Sequence, residues 1–410
     1  MSSVINRVGL ALLGLNLAAT LQAQQTPERP PIVVSDRAIE IHRSAPVVDG
    51  HNDLPWAMRT AGAGFDKIDI AKSQPDLHTD IPRLKAGGVG AQFWSVYVPT
   101  STMLQGSALT TTLEQIELVK QMTRRYPDTF ELALTTADID RIRSQGKIAS
   151  MIGVEGGHSI ENSLNVLRQL YRQGARYMTL THSTSLDWAD SCSDEPKSGG
   201  LSPFGEEVVR EMNRLGMLVD ISHVSADCMR HTLRVTKAPV IFSHSSAFAI
   251  AGHPRNVPDD VLQLTKKNGG VVMINFFNDF IHPVDAQRSA QRTAKRRELE
   301  SLYRDDAEKS DSELSRWERA HPRSKLCTVH DVLDHIEHIA NLIGVDHVGL
   351  GSDFDGVPAL PKQLDDVSSY PVITQGLLDR GFDEQAISKI LGGNIIRVFQ
   401  QAEQVAESLK

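Results

Sequence analysis

The hydrophobic residues of the chain recur as short apolar runs, separated by longer segments in which they have helical spacing. The first run opens the stretch from Pro46 to Pro55, where apolar, β-branched residues precede His51 and Asp53. Runs of this kind are typical of buried strands. We predict a strand from this run and from each of seven more, at residues 86–98, 148–155, 175–182, 217–223, 239–244, 269–277 and 347–353.

Segments with helical spacing alternate with most of these runs. The clearest are at residues 109–126, 160–173 and 203–215, and another ends near Thr236. Strands that alternate with helices favour a parallel sheet, and eight of them favour a closed barrel over an open, doubly wound sheet. We therefore predict a single (β/α)8 TIM-type barrel, class α/β, over residues 45–399.

One charge-rich segment interrupts this alternation. Residues 287–325 are dense in Arg, Glu, Asp and Ser. Such a composition is typical of a solvated helical insertion, here between the seventh strand and the helix that closes it. A lid or a subunit contact is the alternative, because insertions that follow barrel strands lie near the active face.

Composition narrows the possible classes of protein. A chain of 410 residues can form one large barrel or two ordinary domains. Its 40% hydrophobic and 23% charged residues are those of a soluble globular protein. The net charge of −8 and the lack of a basic stripe argue against a nucleic-acid partner. Cys192, Cys228 and Cys327 lack the spacing of a zinc ribbon and could form at most one disulfide.

The first residues predict export. Arg7 precedes an apolar run from Val8 to Leu21, and the sequence up to Ala23 resembles the end of a signal peptide, residues 1–23. Residues 24–44 then form a linker and lead-in, and residues 400–410 form a polar C-terminal tail without a lipid-anchor signal. We expect a periplasmic or secreted protein with no stable membrane anchor after signal removal.

Histidine and carboxylate residues end most of the predicted strands. They are His51, Asp53, Glu155, His182, His223, His244 and Asp353. Because the C-terminal ends of all strands of a parallel barrel open onto one face, these side chains should converge. His51 and Asp53 are two residues apart, so they can point the same way and bind one divalent cation. Other histidines, such as His158 and His335, fall elsewhere and are interpreted as ordinary.

The predicted set of ligands suits two metal ions better than one. Three histidines and two carboxylates are too many for a single tetrahedral ion. Nitrogen and oxygen ligands without thiolates fit Zn²⁺, with Mn²⁺, Co²⁺ or Fe²⁺ as alternatives. Two ions about 3.5–4 Å apart can share a carboxylate and a hydroxide that is a strong nucleophile near neutral pH. The pattern therefore indicates a hydrolase.

The motifs around these residues resemble the membrane (renal-type) dipeptidases of the amidohydrolase superfamily. The resemblance runs from about residue 45 to residue 399. It rests on residues 49–55, 153–158, 179–183, 220–224, 242–246, 255–260 and 349–356. Most of the superfamily has His-x-His on the first strand, and many members bridge their metals with a carboxylated lysine. The His-x-Asp pattern and Glu155 point instead to the dipeptidase branch.

The resemblance implies a binuclear zinc centre. By this resemblance His51 and Asp53 bind one Zn²⁺, His223 and His244 bind the other, and Glu155 bridges both. A hydroxide bridging the metals would attack the peptide bond.

The resemblance also implies roles in catalysis and substrate binding. Asp353 resembles the residue that carries a proton from the attacking water to the leaving amine. His182 resembles the residue that contacts the substrate and stabilises its tetrahedral oxyanion, and Arg255 the one that binds the substrate's terminal carboxylate. The family hydrolyses dipeptides, including those with a C-terminal D-residue.

Other functions stay open at this point. Another amidohydrolase-superfamily activity, on acyl-amino acids, β-lactams or lactones, is the main alternative, and an exported binding module is a second. Thr184 stands where mammalian members have a cysteine, which leaves their disulfide pattern and glycolipid anchor in doubt here. The sequence leaves open whether the chain forms a homodimer.

Overall fold

The computed structural model describes residues 29–62 and 64–410, and residues 31–410 form one compact unit. The predicted signal peptide, residues 1–23, lies outside the described residues. The strands within them are β1 (Val47–Asn52), β2 (Val89–Tyr97), β3 (Phe130–Leu132), β4 (Ile148–Glu155), β5 (Ala175–Thr179), β6 (Leu218–Asp220), β7 (Ile241–Phe242), β8 (Val271–Ile274) and β9 (Val348–Leu350).

Eight of these strands close into a parallel barrel. Their order is β2-β1-β9-β8-β7-β6-β5-β4, and β4 pairs with β2 to close the ring. The predicted (β/α)8 barrel is therefore confirmed. Strand β3 pairs in parallel with the first residues of β4 and was missed by the sequence analysis, because a strand of three residues is too short to show periodicity.

α-Helices occupy the connections between the strands and also precede the first strand and follow the last. Those of the described residues are α1 (Asp36–Ser44), α2 (Leu54–Thr60), α3 (Gly64–Lys67), α4 (Ile81–Ala86), α5 (Ser101–Gln105), α6 (Ala108–Arg125), α7 (Thr136–Ser144), α8 (Leu164–Arg172), α9 (Pro203–Leu215), α10 (Ala226–Val235), α11 (Asp259–Asn268), α12 (Asn278–Ile281), α13 (Pro283–Leu302), α14 (Ala307–Ala320), α15 (Val329–Ile343), α16 (Tyr370–Asp379), α17 (Glu384–Ser388) and α18 (Asn394–Ser408). Each of them is too short or too polar to span a membrane.

Helix α9 illustrates how the sequence sets these bounds. The side chain of Ser202 accepts a hydrogen bond from the N–H of Gly205, and Pro203 occupies the first turn, where its missing N–H costs nothing. Gly216 ends the helix with a positive φ of 76°, a conformation that glycine adopts easily. These signals are local, so the predicted range 203–215 matches the observed helix.

The two flanking segments contain helices that pack on the barrel. Residues 24–44, treated as a linker and lead-in, include α1, which buries Ala38 and Ile41. Residues 400–408, treated as part of a polar tail, are the second half of α18. Ala402 and Ala406 of that half are buried, because its apolar residues recur on one helical face.

The charged insertion is helical, as predicted. It consists of most of α13 and all of α14, and it lies between β8 and α15. Arg292 of α13 forms an ion pair with Glu318 of α14. Arg288 of α13 donates a hydrogen bond of 2.5 Å to the carbonyl of His321, so the two helices are tied together.

Candidate metal centre

The site residues predicted from the sequence come from the C-terminal ends of the barrel strands, but most lie just beyond their strands. His51 belongs to β1 and Glu155 is the last residue of β4. The others follow the ends of their strands by one to three positions: Asp53, His182, His223, His244 and Asp353. The strands that we predicted to run up to His182, His223, His244 and Asp353 therefore end earlier than expected.

Two buried aspartates explain the early ends of β6, β7 and β9. The carboxylate of Asp220 accepts hydrogen bonds from the N–H groups of Ser222 (3.0 Å) and Ser243 (2.9 Å). Asp49 accepts in the same way from the N–H of Ser352 (3.0 Å). These carboxylates replace the ladder partners that the N–H groups lose where the chain leaves the sheet. The backbone can then turn and present the next side chains to the centre of the barrel mouth.

Two of the site residues have a left-handed backbone. His223 has a φ of 66° and Asp353 a φ of 67°, which cost roughly 1–3 kcal/mol each for a non-glycine residue. Neighbouring groups hold both positions. The N–H of Cys192 donates to the carbonyl of His223 over 2.8 Å, and the N–H of Asp353 donates to the carbonyl of His51 over 3.1 Å. Such strain is concentrated where side chains must be aimed for function.

The carboxylate of Glu155 lies between histidines from both sides of the site. Its Oε1 atom is 3.1 Å from Nε2 of His223, 3.5 Å from Nε2 of His244 and 3.9 Å from Nε2 of His182. Its Oε2 atom is 3.5 Å from Nε2 of His51. Each oxygen of one carboxylate thus faces a different group of imidazole nitrogens, as in a bridging ligand.

Three sets of possible ligand atoms lie within 4.8 Å of one another. They are His51, Glu155 and His244; Glu155, His182 and His223; and His51, Asp53 and Asp353. The fold therefore brings together all seven of the residues predicted at the strand ends.

Hydrogen bonds at Nδ1 leave the Nε2 atoms of two histidines available for a metal. Nδ1 of His244 lies 2.8 Å from Oγ of Ser243, whose hydroxyl donates to Asp220 over 2.6 Å, so Nδ1 of His244 carries the proton. Nδ1 of His51 lies 2.8 Å from the hydroxyl of Tyr177. Nε2 of His51 is buried, and among the described residues it has no hydrogen-bond partner. An orphaned buried nitrogen beside carboxylates fits a metal ligand.

The charge of the site also fits bound cations. The site opens into a cavity of about 400 Å³. None of the described residues that line it is Lys or Arg, whereas Asp53, Glu155 and Asp353 bring carboxylates into it. Burial lowers the pKa of His244 and His223 well below the usual value and keeps both rings neutral. The carboxylates, by contrast, favour a positive charge beside them: against the opposing effect of burial, Tyr177, Glu155 and Asp53 raise the pKa of His51 well above its usual value. Divalent ions would supply such positive charge.

Burial also raises the pKa of Asp353, to about 7. The carboxylates of Asp53 and Glu155 act in the same direction, because they disfavour a further negative charge nearby. Asn275 donates a hydrogen bond of 2.8 Å to Oδ2 of Asp353 and so holds one carboxylate oxygen.

Arg255 lies directly behind the wall of the cavity. Its Nη2 donates to the carbonyl of His244 over 3.0 Å, and its Nη1 to the hydroxyl of Ser245 over 3.2 Å. Its guanidinium carbon is 5.1 Å from the ring centroid of Phe280, which lines the cavity. Nε of Arg255 is buried and, within the described part of the chain, has no acceptor. Arg255 is thus next to the predicted ligands but does not itself line the cavity.

Comparison with known proteins decides the family. Residues 35–410 match the family model described as membrane dipeptidase, peptidase family M19. The chain belongs to the membrane dipeptidase family. It is therefore a metal-dependent peptide hydrolase, and the resemblance inferred from its motifs is confirmed.

Solved structures share the fold of this dipeptidase. One is the probable dipeptidase PvdM from Pseudomonas aeruginosa. It is 23% identical with a TM-score of 0.79, and the alignment covers 90% of this chain and 98% of that one. Another is a metallo peptidase from Rhodobacter sphaeroides liganded with a phosphinate mimic of the dipeptide L-Ala-D-Ala. It is 24% identical with a TM-score of 0.71, and the alignment covers 87% of this chain and 99% of that one.

The sequence analysis of the dipeptidase missed the residues that support the site. Tyr177, Ser243 and Asn275 contact His51, His244 and Asp353 respectively. The one available signal was the buried aspartate two or three residues before a predicted ligand histidine, in Asp-Gly-His at 49–51 and Asp-Ile-Ser-His at 220–223. No comparable signal marks Tyr177 or Asn275, because each meets its partner only through the closed barrel.

Proposed function

We propose that this membrane dipeptidase is a binuclear zinc enzyme that hydrolyses dipeptides, including those with a C-terminal D-residue. The observation that carries the proposal is the position of Glu155, with imidazole nitrogens facing both of its carboxylate oxygens. Asp53 adds a carboxylate beside His51, with Oδ2 of Asp53 3.2 Å from Nε2 of His51. This donor set, without thiolates, suits two Zn²⁺ ions.

In this proposal the ligands divide into two groups. His51 and Asp53 hold one zinc, His223 and His244 hold the other, and Glu155 bridges them. Nε2 of His223 lies 2.9 Å from Nε2 of His244, so one ion can accept both lone pairs. Two Zn²⁺ ions held there would supply a hydroxide nucleophile near neutral pH.

Two residues without an assigned metal would serve the reaction. Asp353 takes the proton of the attacking water and gives it to the leaving amine, a role for which a pKa raised by burial is suited. His182 lies at the edge of the ligand set, with Nε2 3.9 Å from Glu155, and it contacts the substrate and stabilises the oxyanion.

Arg255 is proposed to bind the terminal carboxylate of the substrate. A guanidinium can donate two parallel hydrogen bonds to a carboxylate. Its unpartnered Nε and its place behind His244 and Phe280 support this role. Binding of a dipeptide mimic with a C-terminal D-residue by the Rhodobacter sphaeroides protein supports the proposed substrate class.

A screen of dipeptides tests the proposal. Xaa–Yaa dipeptides in L,L and L,D forms are assayed with purified protein, and zinc is measured in the same sample. Each free dipeptide is paired with its C-terminal amide. We expect two zinc ions per chain and hydrolysis of free dipeptides. The amides should be slower by roughly ten- to more than a hundred-fold in kcat/KM, because they lack the charge that Arg255 binds.

The variant Arg255→Ala is the matched control for this screen. It should lose activity on free dipeptides and discriminate much less between acid and amide. Equal kcat/KM for a dipeptide and its amide in the parent enzyme would contradict the role of Arg255. It would favour another amidohydrolase activity, such as hydrolysis of β-lactams, lactones or acyl-amino acids.

Export is a further part of the proposal. The basic residue and the apolar run before residue 23 support secretion to the periplasm or beyond. Mass determination of the mature N-terminus after expression tests this directly. A protein that keeps residues 1–23 and stays in the cytoplasm would contradict it. Light scattering after gel filtration would decide whether the chain forms a homodimer.

A further inference from the structure

Two phenylalanines form an apolar surface in the wall of the site. Phe277 lies between β8 and α12, and Phe280 lies in α12. Both line the cavity that holds Glu155 and Asp353. Their rings meet edge to face with centroids 4.9 Å apart. Apolar walls of a polar cavity commonly set the specificity of a binding site for the side chain of its ligand.

Two arginines pack against this apolar surface from behind. The guanidinium carbon of Arg323 lies 5.2 Å from the ring centroid of Phe277, and the same guanidinium donates to Asp279 over 2.8 and 3.2 Å. Arg323 stands near the end of the charged insertion, so the insertion returns to the base of the wall. The guanidinium of Arg255 packs on the ring of Phe280. A surface that is already held in place loses little entropy when it binds a ligand.

We infer that Phe277 and Phe280 bind the side chain of the C-terminal residue of the substrate and make the enzyme prefer dipeptides with an apolar residue there. This inference rests on the proposed function, in which Arg255 binds the terminal carboxylate. Because Arg255 packs on Phe280, a carboxylate bound by Arg255 places the C-terminal residue beside the two phenylalanines. A charged side chain would have to lose its hydration against the two rings.

A second aromatic pair in the cavity provides an internal control. Trp56 and Tyr97 also line it, and their rings meet edge to face at 5.0 Å. Tyr97 packs beside His182, with centroids 4.8 Å apart, rather than on Arg255. Substitutions in this pair should therefore leave the choice of C-terminal side chain intact.

The test measures kcat/KM for dipeptides that share an N-terminal alanine. Their C-terminal residues are Phe, Leu, Asp or Lys, in the configuration that the parent enzyme hydrolyses faster. The parent should cleave Ala-Phe and Ala-Leu roughly ten-fold or more faster than Ala-Asp and Ala-Lys. Phe280→Ala should bring the ratio of Ala-Phe to Ala-Asp close to one, and Phe280→Leu should keep part of it. Trp56→Ala should leave that ratio unchanged.

The ratio separates side-chain selection from other effects. All four substrates carry the same carboxylate, so a disturbed Arg255 in the Phe280→Ala variant would slow them equally and leave the ratio as it was. Equal kcat/KM values for the four substrates in the parent, or an unchanged ratio in Phe280→Ala, would refute the inference while the proposed function stands. A parent enzyme that contains zinc but hydrolyses no dipeptide would refute the proposed function itself. Circular dichroism and zinc content verify that each variant is folded.

Discussion

Protonation of one buried histidine should weaken the fold beside the site. His335 in α15 is fully buried. Its Nδ1 accepts the N–H of Ala247 over 2.9 Å, and its Nε2 donates to the carbonyl of Ile281 over 3.0 Å. Ala247 lies three residues after His244, and Ile281 ends the helix that carries Phe280. A proton on Nδ1 would face the N–H of Ala247 and break that bond.

The size of the effect follows from the pKa of His335. Burial lowers this pKa from 6.5 to about 4 in the folded protein. Between these pH values the unfolded chain binds the proton and the folded chain does not, so stability falls as the pH falls. At about 1.36 kcal/mol per pKa unit, the loss is about 3 kcal/mol between pH 7 and pH 4. Above pH 7 the contribution of His335 to the free energy of unfolding has its full value and no longer changes with pH.

The assay compares the parent with His335→Gln. Glutamine can donate and accept hydrogen bonds but does not titrate, so it removes the pH dependence at this position. Urea unfolding is followed from pH 7.5 to pH 4 with a chelator present, which excludes changes in metal binding. The free energy of unfolding of the parent, relative to the variant, should fall by about 3 kcal/mol over this range.

Two features make this comparison specific. Burial also lowers the pKa of His158 and His253 to about 4, but both residues are present in parent and variant and cancel in the difference. His321→Gln, at an exposed position, is the matched control and should follow the parent. A difference between parent and His335→Gln that does not change with pH would refute the reasoning.

Three further predictions concern the metal centre. Glu155→Gln removes the negative charge that lets two cations bind close together. Metal analysis of this variant should therefore find at least one ion lost, and assays should find almost no activity. Full metal occupancy with normal turnover would disprove the bridging role. Asp353→Asn should keep its metal while kcat falls roughly 10²–10⁴-fold, and a kcat near the parent value would make Asp353 structural. A β-carbon at Gly356 would collide with the carboxylates of Asp53 and Asp353. Gly356→Ala should therefore bind zinc roughly ten-fold or more weakly by competition with a chelator, whereas Gly252→Ala, with its nearest neighbouring atom 3.9 Å away, should bind as the parent does.

Local patterns in the sequence were sufficient to predict the architecture and the polar residues that converge on one face of it. The apolar runs and the helical spacing between them predicted the barrel, because periodicity reports the local backbone. The barrel then implied that His182, His223 and His244 share one face, because parallel strands end together. The ends of β6, β7 and β9 were not predicted, because Asp220 and Asp49 replace the sheet partners of residues that look like strand in sequence.

Tertiary structure alone decided how the site is supported. His51 meets Tyr177, 126 positions away, and Asp49 meets Ser352, 303 positions away. Arg323 returns to Phe277 only because two helices of the insertion fold back on each other. Contacts between residues so far apart depend on the closure of the barrel and the packing of its loops. They leave no periodic trace in the chain. The sequence by itself therefore determined which side chains gather at the barrel mouth, and only the fold decided which groups hold those side chains in place.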